Sequence, residues 1–172
     1  MFAPAISPVR AARRGAIVAA MKPITVSVDV TRPREDVFAF LDVIRNHERF
    51  NDHMLSGWEY AGPERGVGST ATVRTKVAGK TDSLVIETVS STPPVEIVEQ
   101  NVGAGGRRRA NGTYALEALP GGGTRIRFEY AWRDAPLSER LLAPLVRAVV
   151  RKPLQRSLER LAEELDENDG GA

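Results

Sequence analysis

No cysteine occurs among the 172 residues, which excludes disulfides, thiol nucleophiles and cysteine-held metals and fits a reducing, cytoplasmic setting. Charge of one sign is also lacking: 24 basic residues face 22 acidic ones and the two signs are interleaved, so nucleic acid is not an expected partner. No apolar run approaches the roughly 20 residues that cross a bilayer as a helix. Only two histidines are present, His47 and His53, and their spacing matches neither a helical i, i+4 pair nor a finger pattern, so neither a metal nor another cofactor is expected.

What is there is a patterned chain with 42% hydrophobic residues, enough for one domain with a single core. The first twenty residues, MFAPAISPVRAARRGAIVAA, stand apart. Their apolar stretch is short for a signal peptide, and they read as a disordered leader, with Met21 as an alternative start. The domain is expected over residues 22–168, followed by a disordered tail at 169–172.

Ile24, Val26, Val28 and Val30 alternate with Thr25, Ser27 and Asp29, the period of a strand with one wet face. Pro33 then opens a helix whose first turn carries Glu35 and Asp36, and a second short helix is predicted around Val43 to Arg49. Six further strands follow: Met54 to Ala61, Ser69 to Ala78, Thr81 to Ser91, Val95 to Val102, Arg107 to Leu119 and Thr124 to Arg133. Gly- and Pro-rich turns separate them, so neighbours pair antiparallel. Asn111-Gly112 interrupts the sixth strand with a turn signal, and a bulge is expected there.

Leu137, Leu141, Leu145, Val149, Leu154, Leu158, Leu161 and Leu165 then mark one apolar stripe on a closing helix that Pro144 and Pro153 must kink or split. The fold class is therefore α+β: a curved seven-stranded antiparallel sheet wrapped around a long C-terminal helix, with two short helices after strand one.

The segment ITVSVDVTRPREDVFAFLDVIRNHERFNDHM, the Gly66-Val67-Gly68 entry to a strand, the Thr92-Pro93-Pro94 turn and the GGGTRIRFEY strand together resemble the SRPBCC superfamily. These START-like, helix-grip proteins include a polyketide cyclase/dehydrase-like branch, which the chain resembles most. The resemblance spans about Met21 to Asn168. It implies an apolar cavity between sheet and closing helix for a lipid, polyketide or similar molecule. One departure is Phe50, standing where such proteins often carry a tryptophan beside the pocket mouth.

The residues expected to bind that molecule are Trp58, Tyr60, Tyr114, Phe128, Tyr130 and Trp132 on the strands, with Leu141 and Leu145 on the helix. Aromatic residues with a polar tip can wall a cavity and still orient a hydroxyl or carbonyl, although each serves equally well as plain core. Binding, extending to transport, of a small hydrophobic ligand is the first functional expectation. A cyclase or dehydratase working through Tyr114, Tyr130 or a strand carboxylate such as Asp82, Glu87 or Glu99 is the second, and an interaction module with a filled pocket the third. Both histidines are expected in surface loops, a histidine at the pocket entrance acting as acid or base being the alternative, and Arg107-Arg108-Arg109 in a solvated hairpin. Arg140, Arg147, Arg151, Lys152 and Arg156 make the start of the closing helix basic, as for transient contact with an anionic membrane; a solvated face balanced by Glu159, Glu163 and Glu164 is the ordinary alternative.

Overall fold

The computed structural model describes residues 21–77 and 79–167; the leader and tail expected from the sequence lie outside them. Strand β1 (Ile24–Val30) leads to helix α1 (Arg34–Leu41), a 3-10 turn at Ile44–Asn46 and helix α2 (His47–Asn51). Strands β2 (Leu55–Ala61), β3 (Thr70–Val77), β4 (Lys80–Thr92), β5 (Glu96–Gly103), β6 (Arg108–Ala118) and β7 (Thr124–Asp134) follow, and then helices α3 (Leu137–Leu141) and α4 (Ala143–Glu167). All seven strands form one antiparallel sheet in the order β1-β7-β6-β5-β4-β3-β2, so the first two strands of the chain are its opposite edges. The helices between them carry the chain from one edge to the other.

The α+β architecture anticipated from the sequence is the one observed. Ile24, Val26 and Val30 of β1 and Ile126, Phe128 and Trp132 of β7 are buried on the face that meets α4, where Leu154, Leu158, Leu161 and Leu165 complete the core. A second cluster, Ile44, Leu55, Ala71, Val73 and Ile86, fills the other end of the sheet.

Three sequence expectations are corrected. The bulge predicted at Asn111-Gly112 is absent there: Asn111 pairs with Ala131 and Gly112 with Tyr130 in register, and the irregularity falls earlier, between Arg109 and Ala110. Gly112 has a different reason to be glycine. A Cβ at this position would stand 2.9 Å from Phe128 Cζ, so the missing side chain is the space over which the Phe128 ring lies.

The closing element is split, with α3 ending at Leu141 and Pro144 in the first turn of α4, where proline is tolerated. Its predicted single stripe is two stripes. Leu137, Leu141, Leu145 and Val149 succeed one another by four residues, but Val149 to Leu154 is a step of five, a rotation of about 140° beyond a full turn. Leu145 and Val149 accordingly point outward, 59% and 64% exposed, while Val146 and Val150 take the inner positions beside Leu154.

Arg108 is the third correction. Alternation leaves Arg107 and Arg109 exposed but turns Arg108 inward. There its Nη1 donates to Asp82 Oδ2 at 3.0 Å and its Nε to Glu139 Oε2 at 3.0 Å. A second guanidinium N–H, on Nη2, reaches Glu139 as well. This bridge joins β6 to β4 and fastens α3 to the sheet.

Candidate functional site

Between the sheet and α4 lies a cavity of about 160 Å³. Met54, Leu55, Leu84, Ile86, Phe128, Val150, Leu154 and Leu158 supply an apolar lining, and His47, Asn51, Glu99, Asn101, Arg108, Tyr114 and Ser157 break it with polar groups. A wider open groove of about 570 Å³ runs alongside, walled by Asp52, His53, Arg74, Lys76 and Pro153. Met54, Leu55, Thr75, Val150 and Leu154 belong to both spaces, so the groove adjoins the cavity along that edge.

Strand β5 delivers the polar groups. Its inward positions are Ile97, Glu99, Asn101 and Gly103, all buried. Burying a carboxylate without a partner is expensive, and the partner here is His47 at the start of α2. His47 is 2% exposed and Glu99 4% exposed, and His47 Nδ1 stands 3.0 Å from Glu99 Oε1. On its other side His47 Nε2 is 2.7 Å from the Leu41 carbonyl oxygen.

A carbonyl only accepts, so Nε2 must carry a hydrogen. Nδ1 then faces the Glu99 carboxylate, and when the ring is protonated its Nδ1–H donates there, making an ion pair of zero net charge. Burial is the largest single influence on His47 and opposes its charge. The Glu99 carboxylate, by its charge and its hydrogen bond, together with the Leu41 carbonyl and the Asp42 charge, nonetheless holds the His47 pKa above its ordinary value.

Aromatic rings close this end of the cavity. The Tyr114 and Phe128 ring centroids are 4.6 Å apart, and His47 meets Tyr114 edge-on at 5.7 Å. Burial, reinforced by the Glu99 charge, pushes the Tyr114 hydroxyl well above the usual phenol range, so it remains a neutral donor. Burial likewise brings Tyr130 to about 12, with Arg108 opposing and Glu139 assisting. Ser157 Oγ donates to Asn51 Oδ1 at 2.7 Å, tying α4 to α2 beside the cavity.

Of the eight residues expected to bind a ligand, Tyr114, Phe128 and Tyr130 line the cavity. Trp132 is buried behind them, its ring edge-on to Tyr130 at 5.1 Å. Trp58 and Tyr60 stack on each other at 6.1 Å by the second core cluster, where Tyr60 donates to Glu48 at 2.7 Å and Arg45 covers its ring. Leu141 and Leu145 are exposed on the outer side of α3 and α4.

The carboxylates considered for catalysis separate in the same way: Glu99 faces the cavity, Asp82 is held by Arg108, and Glu87 is exposed. Of the two histidines only His53 is exposed, against the Pro153 carbonyl oxygen at 3.2 Å. His47 contradicts the surface-loop expectation because the turn at Ile44–Asn46 carries it under the sheet. Phe50 is fully buried in the main core. Among the described residues no group of three His, Asp or Glu side chains is placed to hold a metal ion.

Solved structures share this architecture at low sequence identity. An aromatase/cyclase from Streptomyces sp. R1128 superposes with a TM-score of 0.64 at 14% identity, covering 84% of this chain and 93% of its own. A START superfamily protein from Mycobacterium smegmatis gives 0.65 at 10% identity, covering 84% and 97%. A protein from Thermus thermophilus gives 0.63 at 17% identity, covering 83% and 95%. No functionally curated protein matches the sequence. The family model described as polyketide cyclase/dehydrase and lipid transport matches residues 21–166, which is nearly all of the described chain. With that match the chain belongs to the polyketide cyclase/dehydrase and lipid transport family, and its sheet and closing helix share the helix-grip fold of these structures.

Proposed function

We propose that the protein binds a small, mainly apolar molecule that carries a polar group at one end. The observation behind this reading is the uneven lining of the cavity: hydrocarbon from the sheet and α4, interrupted by the Glu99–His47 pair, Asn101 and Tyr114. About 160 Å³ is close to the size of an engineered cavity that takes up benzene, and below the range of roughly 300–1,000 Å³ for sites of drug-sized ligands. A ring or the end of an alkyl chain therefore fits inside, with the rest of a longer molecule along the groove. Tyr114 offers a donor, Glu99 an acceptor and Asn101 both.

The test is a thermal-shift and calorimetric screen of short-chain fatty acids, alkylphenols and hydroxylated aromatic ketones, with native mass spectrometry of protein from its own host. A ligand at one hundred times its Kd should stabilise the fold by about 2.7 kcal/mol. No stabilisation from any class, with no co-purifying compound, would remove the reading.

A second reading rests on the Glu99–His47 pair itself. A buried carboxylate held by an imidazole can take a proton from an acidic C–H of the bound molecule, with the Tyr114 hydroxyl hydrogen-bonded to the carbonyl oxygen that becomes negative. The enolate so formed would either attack a second carbonyl carbon of the same molecule, closing a ring whose new alkoxide takes the proton back from Glu99, or expel a β-hydroxyl that takes that proton and leaves as water. Turnover of a hydroxylated polyketone that disappears in Glu99→Gln while binding persists would move the protein to this class.

A further inference from the structure

Five of the large apolar side chains left exposed among the described residues crowd into one short stretch: Leu137, Leu141, Leu142, Leu145 and Val149, between 55% and 73% exposed. They do not belong to the cavity, and the outward phase of Leu145 and Val149 follows from the five-residue step described above. Charge is divided along the same line. From Leu137 to Lys152 the one acidic residue is Glu139, already engaged by Arg108; of the cations in that stretch Arg147 turns inward and donates to the Pro23 carbonyl, while Arg151 and Lys152 stand exposed. Acidic residues return only from Glu159 onward.

We propose that this outer face of α3 and the first half of α4 docks on an anionic lipid bilayer. The protruding residues are aliphatic, on the convex outside of two helices. They present no aromatic anchor of the kind that dominates protein interfaces. A fluid lipid surface accepts such side chains without a matching pocket, and cations beside them are drawn to acidic headgroups. A second copy is a poorer occupant, because a twofold contact through this face would bring its cations against the same cations. Docked in this way, α4 also lays the groove walled by Val150, Pro153 and Leu154 next to the bilayer.

Flotation of the full chain with phosphatidylcholine vesicles, with and without phosphatidylglycerol, tests the proposal. Binding is expected to the anionic vesicles only, and to weaken as salt is raised. Leu141→Ser/Leu145→Ser/Val149→Ser and, separately, Arg151→Glu/Lys152→Glu should each reduce it about tenfold or more. Both variants change exposed positions and keep the first twenty residues, so a loss reports on the helix face. Near-ultraviolet circular dichroism verifies the fold, and apolar-dye binding in vesicle-free buffer follows the cavity separately from the docking face. No flotation, equal flotation on neutral vesicles, or flotation that neither variant disturbs would each overturn the proposal. So would a vesicle-free dimer, seen by sedimentation, that the triple variant dissolves, since the face would then belong to a second copy.

Discussion

Replacing Glu99 by glutamine alters the balance of the buried pair without changing its shape, and the result can be worked out atom by atom. In the native protein the raised His47 pKa means that the folded state keeps a proton the unfolded chain releases near 6.5. This contribution is fully present below pH 6.5 and is lost as pH rises through the folded value, at up to about 1.4 kcal/mol per pH unit. In Glu99→Gln, His47 Nε2 still donates to the Leu41 carbonyl, and Nδ1 accepts from the glutamine amide. The ring is then neutral: burial, the largest influence, is opposed only by the Leu41 carbonyl and the Asp42 charge, and the folded pKa should fall below its ordinary value. The sign reverses: stability of the variant should rise with pH through 6.5 where that of the native protein falls above it.

A charge-assisted bond contributes roughly 1.5–3 kcal/mol and a neutral one roughly 0.5–1.5, so the variant should lose about 1–2 kcal/mol at pH 6. His47→Leu strands the carboxylate and should lose about 3–5 kcal/mol. Adding Glu99→Leu to it should restore much of that loss, leaving about 1–2 kcal/mol for the orphaned Leu41 carbonyl. Urea denaturation of the four proteins at pH 5.5, 7 and 8.5 would measure all of this, using buffers chosen only to bracket the ordinary histidine value of about 6.5. Parallel pH slopes for native and Glu99→Gln, or a double variant less stable than His47→Leu alone, would refute the account of the pair.

Three further outcomes are expected. Gly112→Ala should push the Phe128 ring toward the cavity; because the ring has that space to enter, the loss should stay near the low end of the roughly 1–3 kcal/mol of overpacking, while affinity for an apolar dye falls severalfold. Leu161→Ala should destabilise by about 2–5 kcal/mol and Leu145→Ala by less than about 0.5, a contrast in urea midpoints that a single continuous buried stripe would not produce. Arg108→Met should free α3 from the sheet, detectable as faster amide exchange across Leu137–Leu141 with β1 unchanged; equal protection in both proteins would show that the Asp82 and Glu139 contacts do not hold the helix.

The strands were legible because glycine or proline follows each within a few residues and several alternate with a period of two, β7 most fully, its Ile126, Phe128 and Trp132 buried as the alternation requires. The closing helix was legible in extent and not in phase, since leucines at 137–145 and at 154–165 look continuous unless the five-residue step between Val149 and Leu154 is noticed. The site was legible only where it is aromatic. In β5 both faces mix apolar and polar residues, Ile97 with Glu99 and Asn101 against Val98 and Val102 with Gln100, so alternation alone could not say which carboxylate turns inward. His47 left no local signal, because its burial depends on Glu99, which is far along the chain and compensates the imidazole only after the sheet has formed. Ser157 had one: it lies three residues after Leu154, on the inner side of α4.

The placement of β1 and β2 at opposite edges also sets an order in time. Ile24 pairs with Tyr130 and Val26 with Phe128, more than a hundred residues apart, so the strand that leaves the ribosome first is among the last to find its neighbour. At roughly 5–20 residues per second, β1 waits on the order of 5–20 s with Ile24, Val26, Val28 and Val30 uncovered. During that interval β2 to β6 can pair locally, each with the strand just made, while both the edge and the helix that close the cavity are still missing. Newly made chains are therefore most vulnerable to aggregation late in synthesis, and slowing translation between β6 and β7 should lower the soluble yield more than slowing it anywhere within β2 to β5.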